Sequence, residues 1–109
     1  MSFNLRRFGQ VTVIEVAGQL IVGNRQELKQ MVLGELEQGS RSFVVDFALT
    51  GYIDSSGLGI LVSLSKKIRE AGGRLQLASL NEDLRRLFEL TKLYTLFEIR
   101  DSLEEALSE

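Results

Sequence analysis

The chain has 109 residues, close to the commonest size of one domain, and its 44% hydrophobic and 26% charged residues make a globular composition. Its 13 basic and 15 acidic residues are spread along the chain and leave a net charge of -2, which gives no electrostatic footprint for nucleic acid or an anionic membrane. Cysteine and histidine are both absent, which excludes disulfides, thiol nucleophiles, the usual thiolate and imidazole zinc ligands and a Ser-His-Asp triad.

The amino terminus, MSFNLRRFGQVTVIEVAGQLIVG, has the charged start and apolar run of a signal peptide. Glu15 and Gln19 interrupt that run, however, Val11 and Val13 alternate as in a strand, and no stretch reaches the length of a membrane span. The expectation is a soluble, cytoplasmic protein. Residues 3 to 8 and 11 to 17 read as two strands joined at Gly9-Gln10. Asn24 is the candidate cap of an amphipathic helix over 24 to 38, in which Leu28, Met31, Val32, Glu35 and Leu36 recur at helical spacing before Gly39 ends it.

SFVVDF is a nearly continuous apolar run, as expected of a strand covered on both faces. After YIDSSGLGILV comes a second helix to Ala71, stopped by Gly72-Gly73. RLQLA alternates as a strand, and Asn81 caps a third helix with Leu84, Leu87, Phe88 and Leu90 on its apolar side. LFEI is the last strand, and DSLEEAL a short helix capped by Asp101 or Ser102. No linker or repeat divides the chain, so one domain is expected over residues 1–109. The order ββαβαβαβα predicts an α/β fold, a mixed central sheet of about five strands with an amino-terminal hairpin, covered by about four helices.

In such folds binding sites lie at the carboxyl ends of strands, where Asp54, Ser55, Ser56 and Gly57 stand. Asp and Ser are favoured helix caps, and the two glycines have a possible packing use, so a purely structural role is the simplest reading. Yet Gly57 and Gly59 in the first turns cost about 1 kcal/mol each relative to alanine. A functional role uses the same geometry. The unpaired N–H groups and positive dipole end of a helix start favour a phosphate, and a serine at the cap is placed to carry one. Gly57 and Gly59 then clear space for a partner. Leu58, Ile60, Leu61, Leu64 and Ile68 share the core face, and Gly59, Ser63, Lys66, Lys67 and Glu70 fall opposite, a candidate docking track. A GxSxG elbow, a P-loop, GxGxxG and a receiver's acidic pair are all missing.

Taken together, VIEVAGQL, VVDF with Asp46, YIDSSGLGILV, AGGRLQLASLNEDLRRLFELTKLYTLFEI and DSLEEAL resemble the STAS domain, and within it the bacterial anti-sigma-factor antagonists. The resemblance implies a partner-switching regulator rather than an enzyme. Its partner would be an anti-sigma factor that is also a serine kinase, bound when the antagonist is unphosphorylated and lost when it is phosphorylated. A PP2C-type phosphatase would reverse the step. Carried onto this chain, Ser55 is the phosphoacceptor, Asp54 flanks it, and Ser56 takes the second small position. ATP and magnesium would belong to the partner kinase, the chain would need no cofactor or metal of its own, and it would be a monomer when free. One position departs from the pattern: Ile21 stands where many antagonists carry an aspartate. That leaves open a STAS scaffold that binds a different partner without phosphorylation; the helix start of the motif leaves open, separately, a bound nucleotide.

Overall fold

Branched and aromatic residues suit a pleated surface, and strands form where the chain concentrates them. The computed structural model describes residues 2–108; Met1 and Glu109, the ends of the expected 1–109 domain, lie outside the described residues. The chain runs β1 (Phe3–Phe8), β2 (Val11–Val16), β3 (Gly18–Leu20), α1 (Arg25–Glu37), β4 (Ser42–Asp46), β5 (Thr50–Ile53) and α2 (Ser55–Glu70). Then follow β6 (Arg74–Ala78), α3 (Glu82–Leu90), a 3-10 turn (Leu93–Thr95), β7 (Glu98–Arg100) and α4 (Leu103–Leu107). The main sheet has five strands in the order β1-β2-β4-β6-β7, antiparallel between β1 and β2 and parallel elsewhere. This is the mixed α/β sheet expected.

Strand alternation decides which side chains meet which helices. Ile14, Val16, Phe43, Val45, Leu75 and Leu77 point to one face and form the large core with residues of α1, α2 and α3. Val13, Val44 and Ala78 point to the other face, where Ala106 of α4 covers them. Gln76 is buried on that second face, donating from Nε2 to the Ala106 carbonyl at 3.2 Å and accepting from Arg100 Nε at 3.0 Å. At the other end of the sheet, Glu35 of α1 is buried and takes both oxygens to Arg7 of β1, at 2.8 and 2.7 Å.

Several expectations change. A second, two-stranded parallel sheet pairs β3 with β5, two elements that the residue pattern does not announce. They are three and four residues long and exist only because each finds the other across the fold. Gly18, at φ +86, turns the chain out of the main sheet into β3, a conformation only glycine takes without strain. Asn24 precedes α1 but does not cap it. Its Oδ1 accepts from Ile21 N at 2.9 Å and its Nδ2 donates to the Gln19 carbonyl at 2.8 Å, so it braces the loop instead. Leu90 is 77% exposed rather than on the apolar side of α3, because two residues past the buried Phe88 is about 200° around a helix. Of the two candidate caps of α4, Ser102 is the one used, accepting from Glu105 N at 3.1 Å. Among the described residues no helix is long and apolar enough to cross a membrane.

Phe43 is the largest side chain fully buried in a central strand, so Phe43→Ala is expected to cost about 3–5 kcal/mol, read from urea denaturation followed by circular dichroism.

Candidate functional site

Asp54 is the single residue between β5 and α2, and its extended backbone (φ -91°, ψ 179°) is the shape of a helix cap. Its Oδ1 accepts from Gly57 N at 2.7 Å and its Oδ2 from Val22 N at 3.1 Å, while its own N–H donates to the Leu20 carbonyl at 3.1 Å. One side chain thus caps α2 and ties down the loop after β3. The Gly57 N–H, with help from Val22, Ser56 and the charge of Arg25, holds the carboxyl below the ordinary aspartate range.

The cap is therefore Asp54, and the expectation that the serine itself caps the helix is corrected. Ser55 is the first residue of α2 and is exposed; Ser56, next to it, is half-buried. Gly57 is also corrected. It is buried, and a Cβ there would stand 2.4 Å from the Leu20 carbonyl oxygen and 2.9 Å from Ile53. It permits close packing of α2 on β3, so the space a side chain would take is used inside the fold. Gly59 differs: a Cβ there meets nothing within 4 Å, and the residue is exposed one turn beyond Ser55. Lys66 and Lys67 are exposed and Ser63 half-buried. At 1.5 Å per residue, Lys66 lies roughly 16 Å along the helix from Ser55. The fold therefore gathers Asp54, Ser55, Ser56 and Gly59, and leaves the two lysines at the far part of the same helix.

Beside Ser55 the structure holds a groove of about 500 Å³ between β5, the start of α2 and α3. Leu58, Leu84 and Leu87 line it, with Tyr52, Asp54 and Asp83 among its polar groups. Tyr52, Asp83 and Leu87 were not among the candidate site residues read from the sequence. The signal for them was faint, since Tyr52 sits in the unannounced β5 and Leu87 reads only as core.

The residues 2–106 match the family described as STAS domain. The chain belongs to the STAS domain family. Among similar proteins, the anti-sigma-B factor antagonist of Bacillus subtilis (strain 168) is 33% identical over 86 residues, which cover 79% of this chain and 78% of that protein. A crystal structure from Thermotoga maritima, described as a candidate anti-sigma factor antagonist, superimposes with a TM-score of 0.91 at 29% identity and covers 97% of this chain and 92% of that one. The anti-sigma factor antagonist SpoIIAA in its unphosphorylated form shares the fold with a TM-score of 0.77 at 20% identity, over 97% of this chain and 94% of that one. A second structure, of the Bacillus cell fate determinant SpoIIAA in the phosphorylated form, gives 0.76 at 21% identity, over 97% and 96%.

The two glycines should separate cleanly in urea denaturation. Gly57→Ala is expected to lose about 1–3 kcal/mol through its clash with backbone, whereas Gly59→Ala should gain about 1 kcal/mol of helix propensity. Acid should act through Asp54. Its folded-state pKa is depressed, so its contribution is present above the unfolded value and lost as pH falls through the folded one. Stability should therefore drop below about pH 4, and Asp54→Asn should remove that part of the drop when midpoints are compared across pH.

Proposed function

We propose that this protein is an anti-sigma-factor antagonist that switches partners by phosphorylation of Ser55. The unphosphorylated form binds an anti-sigma factor that is also a serine kinase, and a phosphate on Ser55 releases it. A PP2C-type phosphatase restores the binding form. The ATP and magnesium are the kinase's, and the switch itself asks for no catalytic base in this chain.

The observation that carries the reading is the exposure of Ser55 at the first position of α2, with open space at Gly59 one turn on. A kinase cleft can approach a hydroxyl presented in this way. Phosphorylation adds about -1.5 to -2 charge and three acceptor oxygens. Gly57 N–H already serves the ionised Asp54, so the helix start has one donor fewer to offer the phosphate. A surface that accepted a neutral hydroxyl must then accept a dianion beside an existing carboxylate. Acidic groups facing it in a tight interface would be repelled.

A second reading, a STAS scaffold that binds its partner without phosphorylation, rests on Ile21. This half-buried apolar residue stands in the loop whose next N–H meets Asp54. The two readings diverge at Ser55. With the host's kinase and ATP, mass spectrometry should find one phosphate, on Ser55, and none on Ser55→Ala. Ser55→Asp should weaken binding of the kinase at least about tenfold, which is the effect of about 1.4 kcal/mol. Phosphate on another residue, or unchanged binding by Ser55→Asp, would favour the scaffold.

A further inference from the structure

The helix α3 separates two concavities. Leu84, Leu87 and Thr91 face the groove beside Ser55, whereas Arg85, Phe88 and Glu89 face a cavity of about 600 Å³ on the opposite flank, toward β7. That volume is in the range of ordinary small-ligand sites. Leu80, Phe88, Phe97 and Ile99 supply its apolar walls, with the Phe88 and Phe97 rings edge-to-face at 5.8 Å. Tyr94, from the 3-10 turn, lines it while remaining 51% exposed.

The wall holds one cation, Arg85, and one anion, Glu89, and among the described residues only the cation is engaged. Arg85 is answered by Asp101, with which it forms an ion pair outside the lining. Glu89, one helical turn on from Arg85, has no side-chain partner among the described residues. What remains is one carboxylate beside an exposed aromatic ring over an apolar floor. That combination suits an ammonium group on an apolar body, held by charge and by the ring face.

The helix between the two concavities has a left-handed residue just outside each end. Among the described residues the only non-glycine positions with left-handed backbone are Ser79 (φ 68°) and Lys92 (φ 59°), and they flank α3 on either side. Each costs of order 1–2 kcal/mol relative to a relaxed backbone. Because α3 supplies side chains to both concavities, a ligand seated on one flank bears on the helix that bounds the other.

We propose that the cavity between α3 and β7 is a regulatory site for a small organic cation with an apolar body, read out at the Ser55 groove through α3. Its regulatory meaning rests on the Ser55 reading, but binding itself does not. Three probes of the same shape test it on the full ¹⁵N-labelled chain by NMR titration: phenethylamine, 2-phenylethanol and 3-phenylpropanoate. Phenethylamine should give saturable shifts at Phe88, Tyr94 and Phe97, and across the helix at Leu84 and Leu87. The alcohol should bind roughly fivefold more weakly, and the carboxylate more weakly still. Glu89→Gln and Tyr94→Ala, both changes to exposed side chains, should each weaken the amine by a similar factor. The absence of saturable shifts, equal affinity for the three probes, or full affinity in Glu89→Gln overturns the site. Shifts confined to the cavity, with Leu84 and Leu87 unmoved, overturn its regulatory role. None of these readings depends on whether Ser55 is phosphorylated, so the two proposals fail separately.

Discussion

One carboxylate holds the functional end of this protein together. Asp54 takes the N–H of Gly57 from α2 and the N–H of Val22 from the loop after β3, and its own N–H is bonded to Leu20 of β3. Gly57 makes that arrangement possible, because any side chain there would strike the Leu20 carbonyl. The helix start, the small β3–β5 sheet and the 21–24 loop are thus fixed to one another within a few bonds. Ser55 owes its exposed position to this junction: with Asp54 capping beneath, the next side chain projects outward from the first turn.

The same junction reaches α3. Thr50 of β5 donates its hydroxyl to the Val16 carbonyl at 2.6 Å, and Asn81, which caps α3 through Leu84 N, donates to the Thr50 carbonyl at 3.2 Å. β5 is therefore stitched to the main sheet on one side and to the start of α3 on the other. The groove beside Ser55 is the space left where these three elements meet. Ser55 stands at a point where several elements converge, so a charge placed there would be felt by all of them.

Much of this was legible in the residue pattern. Alternation in VTVIEV, the apolar run SFVVD and RLQLA marked the central strands, and helical spacing marked α1, α2 and α3. Asn81 announced the start of α3 and DSSG that of α2, because capping is a local affair between a side chain and a backbone N–H two or three residues away. The candidate site was legible as a segment but not in its division of labour. That Gly57 packs and that Asp54 also ties down the 21–24 loop depends on Leu20 and Val22, more than thirty residues distant in sequence.

The sequence by itself determined the class of fold, the order of its main elements and the segment that carries Ser55, since these follow from periodicities and caps that act over one or two turns. Tertiary structure alone decided the β3–β5 pair and the two hollows on either side of α3. Short strands have too few residues to display a pattern, and a concavity belongs to no single element. Each comes into being only when segments far apart in the chain are brought within van der Waals reach, and local sequence carries no record of that distance.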